Sequence, residues 1–213
     1  MRLDRALLMR WWWFLCRALI RIGGAALWQL RCSGVENLPR GGVLLAANHQ
    51  SYLDPPLVAA CLPREMHFMA RKSLFRNPVF GALIARCNAF AIDRDAADVK
   101  GVREAIARLK AGAVLLVFPE GTRTRNGSIG PMKAGVGLLA GRAGVPIVPV
   151  LIDGAYRVWP KGGPPLPGLG RIRIVFGKPL VPGPGGETES GDRLREAILS
   201  LKGERNGCRT GSS

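Results

Sequence analysis

Several things are scarce in this chain. Histidine occurs twice in 213 residues, and acids number 15 against 31 lysines and arginines, a formal charge of +16. The five cysteines, Cys16, Cys32, Cys61, Cys87 and Cys208, form no CxxC pair. Their odd count and wide spacing argue against a zinc site and against a disulfide framework, and favour a reducing, cytoplasmic setting. No run of about eighteen uncharged apolar residues occurs, which excludes a conventional spanning helix. Arg17 and Arg21 interrupt the first apolar stretch and no clear small-residue cleavage site follows it, so a cleaved signal peptide is not expected. There is no GxGxxG, no lysine–serine ending to "GTRTRNG" as a phosphate-binding loop requires, and no GxSxG around Ser51. No internal repeat and no second domain are evident.

What is present is a hydrophobic content of 47%, enough for one substantial core. The excess of positive charge suits an anionic membrane surface, phosphorylated substrates or nucleic acid. Arginine dominates the basic set, and its fork of donors matches phosphate. The run "MRWWWFLCRALIRIGGAALWQL" is basic and tryptophan-rich. Arg10, Arg17 and Arg21 fall near one side of a helix, while Trp12, Leu15, Leu19 and Ile22 spread over much of the rest. Tryptophan favours the membrane interface and arginine stems snorkel to headgroups, so an interfacial amphipathic helix is expected, with a turn near Gly23 and Gly24. The alternative is a helix packed on its own domain.

Beyond it, "VLLAA" reads as a buried strand entering a loop. Asp54 before two prolines reads as an N-cap for a helix over 55–61. Further helices are expected over 78–87, over "DAADVKGVREAIARLKAG" with a stop at Gly112, over 133–143 and over 192–201. "AFAI", "AVLLVF" and "RIRIVFG" read as strands. "VPIVPVLI" reads as a strand whose prolines favour an edge or irregular position. Buried strands alternating with helices indicate an α/β domain with a mixed central sheet flanked by helices. The organisation expected is a membrane-interface segment over 1–32, a catalytic domain over 33–202 and a disordered tail over 203–213.

Two stretches carry candidate chemistry. In "NHQSYLD", His49 follows a strand and Asp54 opens a helix. Five residues along a continuous helix would set them about 140° apart, but a turn between them lets the carboxylate reach the ring, fix its tautomer and raise its basicity. His49 could then deprotonate a hydroxyl. The alternative is a loop histidine beside an N-capping acid. In "FPEGTRTRNG", a strand delivers an acid, a glycine and two arginines to its carboxyl end, where open α/β sheets bind ligands. Gly121 permits close backbone approach. Arg123 or Arg125 can hold phosphate through charge-assisted bonds, and Glu120 can orient an arginine or accept from a substrate hydroxyl. The alternative is a solvated turn with ordinary ion pairs.

"NHQSYLD", "FAIDR", "FPEGTR" and "VPIVPV" occur in the order and approximate spacing of four family blocks, and "ARKSLF" lies between the first two. With these the chain resembles the bacterial 1-acylglycerol-3-phosphate acyltransferases. Ala89 and Ala91 depart from the usual second block. The resemblance implies a glycerolipid acyltransferase-like fold and acyl transfer from acyl-CoA or acyl carrier protein to the hydroxyl of 1-acylglycerol-3-phosphate, giving phosphatidic acid. It implies His49 as general base and Asp54 as its orienting partner. Arg94, Glu120, Gly121, Thr122 and Arg123 would form the acceptor phosphate site, Lys72 a further contact, and Pro149 would shape the pocket. No cofactor, metal or nucleic acid is implied. The expected partners are membrane lipids, the lysophospholipid acceptor and acyl carrier protein, at the cytoplasmic face of the inner membrane. The alternatives are another lysolipid acceptor, such as a lyso-ornithine lipid, or a non-catalytic membrane scaffold.

Overall fold

A computed structural model of the protein describes residues 5–93, 98–164, 166–182 and 189–203, with the side chains of 5–10 and 189–190 outside the description. Arg94, 183–188 and all but the first residue of the tail expected over 203–213 lie outside the described residues.

The first segment is one 24-residue helix, α1 (Arg5–Trp28). It continues through Gly23 and Gly24 without the expected turn. After it come β1 (Arg31–Ser33), β2 (Val43–Ala47), α2 (Asp54–Cys61), β3 (Met66–Arg71), α3 (Pro78–Arg86), β4 (Ala89–Ile92) and α4 (Val99–Lys110). Then follow β5 (Val114–Val117), α5 (Gly135–Ala143), β6 (Ile147–Asp153), α6 (Ala155–Val158), β7 (Arg173–Phe176) and α7 (Glu189–Gly203). Short 3₁₀ turns fill Val35–Asn37 and Lys72–Arg76.

The seven strands form one sheet in the order β1-β7-β6-β2-β5-β3-β4. β6, β2, β5, β3 and β4 run parallel, and β7 pairs antiparallel with β6 and parallel with β1. The sheet is therefore mixed, as expected. β2 lies at its centre. Val43, Leu45 and Ala47 enter one hydrophobic cluster with Leu57, Val58 and Val150, while Leu44 and Ala46 enter another with Leu109, Leu139 and Ile198. Alternate residues thus face opposite helical layers. Both faces are covered, so the strand is apolar throughout rather than alternating.

Two strands, β1 and β3, were not expected. β1 has three residues and β3 reads "MHFMAR"; neither carries a strong local signal, and each is a strand because a neighbour pairs with it. β6 corrects the edge expectation, since it lies between β7 and β2. Pro149 is tolerated because it falls where β7 ends, its carbonyl accepting from Gly177 N–H at 2.8 Å. The ladder between β2 and β6 is extended by a side chain. Asn48 accepts from Ile152 N–H at 2.7 Å and donates to the Ile152 carbonyl at 2.9 Å.

α1 packs Trp13, Ile20 and Trp28 against α2 and the sheet's first cluster. Arg17 lies on this inward side and Arg21 at its exposed rim, with Arg21 Nη1 donating to the Ala60 carbonyl at 3.3 Å. The outward side carries Trp11, Leu15, Leu19 and Ile22, each more than half exposed. Arg17 is thus half-buried against the domain, while Arg21 stays exposed and reaches back to the end of α2. α3 touches α1 and exposes Val79, Phe80 and Leu83. Cys32 and Cys61 form a disulfide, correcting the expectation of none. The pair is 29 residues apart in sequence; folding brings β1 beside the end of α2. Among the described residues, no helix is long and apolar enough to cross a membrane.

Candidate active site

The site is assembled at the carboxyl ends of β2 and β5, which are neighbours in the sheet. β2 delivers Asn48 and His49. Its apolar run ends in Asn48, whose amide is tied to β6, and the chain turns sharply into α2. Asp54 does not cap forward as its place before two prolines suggests. It occupies the first helical position and reaches back: its Oδ2 accepts from Gln50 N–H at 2.6 Å and Ser51 N–H at 2.8 Å. The same oxygen lies 2.7 Å from His49 Nδ1. Asp54 is wholly buried and the His49 side chain is 13% exposed. With the carboxylate ionised, Nδ1 carries the proton and Nε2 presents its lone pair. The imidazole also stacks on Phe118, centroids 3.9 Å apart, which fixes the ring plane.

The second stretch holds the first from behind. Glu120 Oε1 accepts from the backbone N–H of His49 at 2.9 Å, and Thr124 N–H donates to the His49 carbonyl at 2.8 Å. Both backbone polar groups of His49 are thus taken by the loop after β5. Glu120 Oε2 accepts from Gly130 N–H at 3.2 Å. Burial pushes the Glu120 carboxyl above its ordinary range, and the bonds from His49 and Gly130 oppose that without cancelling it. Its oxygens are committed to backbone donors, so Glu120 acts on the position of His49.

The same loop lines a cavity of about 290 Å³ together with Lys161. Glu120, Thr122, Arg123 and Arg125 are on its wall. Gly121 has φ of 73°, and the Lys133 side chain lies 3.2 Å from where a Cβ would stand; glycine is the residue that adopts this turn without strain. The Arg123 guanidinium stacks on Tyr52 at 3.4 Å, and its Nη1 is buried with no hydrogen-bond partner among the described residues. Tyr52 in turn meets Trp159, centroids 5.3 Å apart.

Of the residues singled out from the sequence, His49, Asp54, Glu120, Gly121, Thr122 and Arg123 therefore converge. Lys72 lines a separate cavity with Asp93, Asp98 and Lys100. Arg94 lies outside the described residues. Pro149 is in the sheet, paired with β2 at Ala46. Asn48, Tyr52, Phe118, Thr124, Trp159 and Lys161 were not read as site residues. Asn48, Tyr52, Phe118 and Thr124 stand inside or beside the two motifs, so proximity was the available signal. Trp159 and Lys161 had only an unexplained aromatic and cation in a proline- and glycine-rich loop. No group of three His, Cys, Asp or Glu side chains gathers as a metal site among the described residues.

Residues 29–153 match the family described as Acyltransferase. A 1-acyl-sn-glycerol-3-phosphate acyltransferase of Bacillus subtilis is 33% identical over 147 residues, covering 68% of this chain and 70% of that protein. A chloroplastic enzyme of the same name from Brassica napus is 30% identical over 69% of this chain and 44% of its own length. The chain thus spans less than half of the Brassica napus protein. The crystal structure of the 1-acyl-sn-glycerophosphate acyltransferase of Thermotoga maritima superposes with a TM-score of 0.81 at 28% identity, covering all of this chain and 86% of that one.

Proposed function

The chain belongs to the 1-acyl-sn-glycerol-3-phosphate acyltransferase family, and on that premise we propose that it moves a fatty acyl group from a thioester donor to the free hydroxyl of 1-acylglycerol-3-phosphate. The observation that carries this is the 2.7 Å contact between His49 Nδ1 and a buried carboxylate, joined through Glu120 to a basic cavity. His49 Nε2 removes the proton of the acceptor hydroxyl as its oxygen attacks the thioester carbonyl. The C–O bond forms and the carbonyl electrons move to oxygen. The tetrahedral adduct then collapses, the C–S bond breaks, and the leaving thiolate takes the proton back from His49. Asp54 stabilises the imidazolium in between. The nucleophile belongs to the substrate. Arg123 and Thr122 hold the acceptor phosphate. The donor is acyl-CoA or acyl carrier protein; the positive charge of the chain suits both.

The acceptor is a membrane lipid, so the protein must work at a bilayer surface. The outward face of α1 supports peripheral attachment, with Trp11 and Trp12 at headgroup depth and Leu15, Leu19 and Ile22 below them. We assign this attachment to the cytoplasmic leaflet, where thioester donors are available.

The deciding assay supplies labelled acyl-CoA and acyl carrier protein thioester with a panel of acceptors, including 1-acylglycerol-3-phosphate and a lyso-ornithine lipid. Wild type is expected to acylate 1-acylglycerol-3-phosphate, and His49→Ala to lose about 10³-fold or more of kcat with its fold intact. Preference for a phosphate-free acceptor would reassign the substrate. Undiminished turnover in His49→Ala would remove the mechanism.

A further inference from the structure

We propose that Lys161 is a recognition residue for a phosphate monoester, completing the cation set of the cavity beside Glu120; this rests on the acyl-transfer reading above. Lys161 lies outside residues 29–153, the part of the chain that matches the family. It is carried on the loop that follows α6, and hydrogen bonds hold that loop against the site. Trp159 Nε1 donates to the Pro164 carbonyl at 2.8 Å, and Gly163 N–H to the Pro160 carbonyl at 3.1 Å, closing a tight turn around Lys161. Ser51 Oγ, three residues before Asp54, donates to the Trp159 carbonyl at 2.8 Å. The Trp159 ring leans on Tyr52, and Tyr52 carries Arg123. One continuous set of contacts therefore fixes Lys161 relative to both the His–Asp pair and Arg123.

The outcome is a wall with Arg123, Arg125 and Lys161 on it. Lys161 Nζ lies 3.4 Å from Thr122 Oγ1, so its charge sits next to the hydroxyl beside Arg123. The single carboxylate of the wall, Glu120, spends its oxygens on backbone N–H groups. Three cations against one tied-down anion suit a dianion better than a monoanion. A phosphate monoester is the lipid-borne or cofactor-borne group that carries close to two charges near neutral pH. The cavity, about 290 Å³, holds a phosphate with a glycerol-sized neighbour. Arg123 supplies a fork and Lys161 a point charge, a division of labour that the two side chains suit. Two substrates bring such a group: the acceptor, through its glycerol phosphate, and acyl-CoA, through its ribose phosphate.

The test measures kcat and KM for Lys161→Met, Lys161→Arg and Lys178→Met. Lys178 is an exposed lysine after β7 and controls for loss of one surface charge. Acceptors are 1-acylglycerol-3-phosphate and a lysophosphatidylglycerol, a phosphodiester. Donors are acyl-CoA and acyl-dephospho-CoA. Lys161→Met is expected to raise KM about tenfold for one phosphate-monoester substrate, with kcat within about twofold. Lys161→Arg should recover most of that loss, and Lys178→Met should leave KM unmoved. A rise for 1-acylglycerol-3-phosphate alone assigns the site to the acceptor; a rise for acyl-CoA but not its dephospho form assigns it to the donor. Unchanged KM for both monoesters, or equal losses for monoester and diester, overturns the proposal. No transfer by wild type to any acceptor would instead remove the acyl-transfer reading on which it stands.

Discussion

Asp54 Oδ2 accepts three bonds at once, from His49 Nδ1 and from the N–H groups of Gln50 and Ser51. Removing it therefore orphans two backbone donors as well as freeing the imidazole. Asp54→Ala should lose activity and also about 1–3 kcal/mol of stability, whereas His49→Ala should lose activity with a near-native melting temperature. Paired calorimetry and turnover measurements check this difference. Glu120 gives a second contrast. Its amide counterpart cannot accept from both His49 N–H and Gly130 N–H without turning an NH₂ toward one of them. Glu120→Gln should lower kcat about ten- to hundredfold through displacement of His49, with the acceptor KM little changed. That is the reverse of the pattern expected for Lys161→Met, and steady-state kinetics on the two variants separates positioning from binding.

At the scale of elements, α4 is docked to β3 by a cation and a neutral imidazole. Arg108 Nη1 donates to His67 Nδ1 at 2.6 Å, while Arg108 also pairs with Glu104 at 2.7 Å and lies over Phe90. Burial lowers the His67 pKa from 6.5, the charge of Arg108 lowers it further, and Glu104 partly opposes both. The folded state therefore binds its proton less readily than the unfolded chain does. This contribution to stability is complete above about pH 6.5 and is lost as pH falls through that value toward the lower folded pKa. His67→Gln should flatten that part of the acid slope in a series of urea melts between pH 7 and pH 5. At the other end of the sheet, Gly154 has φ of 92°, and a side chain there would run into the Arg171 carbonyl. Gly154→Ala should cost about 2–3 kcal/mol, read as a lowered urea midpoint.

Across the whole molecule, the Cys32–Cys61 disulfide closes a loop that contains both His49 and Asp54. Cys61→Ser should lower stability by about 2–4 kcal/mol, measured against wild type under non-reducing conditions. Much of the architecture was legible in advance because it is local. β2, β4 and α4 announce themselves through apolar runs, β-branched residues and a helical period ending in glycine, and the His–Asp pair through its spacing after a strand. The chain itself determined these elements, the mixed α/β class and the residue types at the carboxyl ends of β2 and β5. Periodicity placed Arg17 and Arg21 on one side of α1, but only packing on α2 decided that Arg17 is half-buried there and Arg21 stays at the rim. β1 and β3 are strands because partners distant in sequence supply their hydrogen bonds. Pro149 lies inside the sheet because β7 stops beside it. The inward commitment of Glu120, the disulfide and the approach of Lys161 to Thr122 each join residues 29 to 71 positions apart. Such contacts carry no periodic or compositional trace, so only the tertiary structure could decide them.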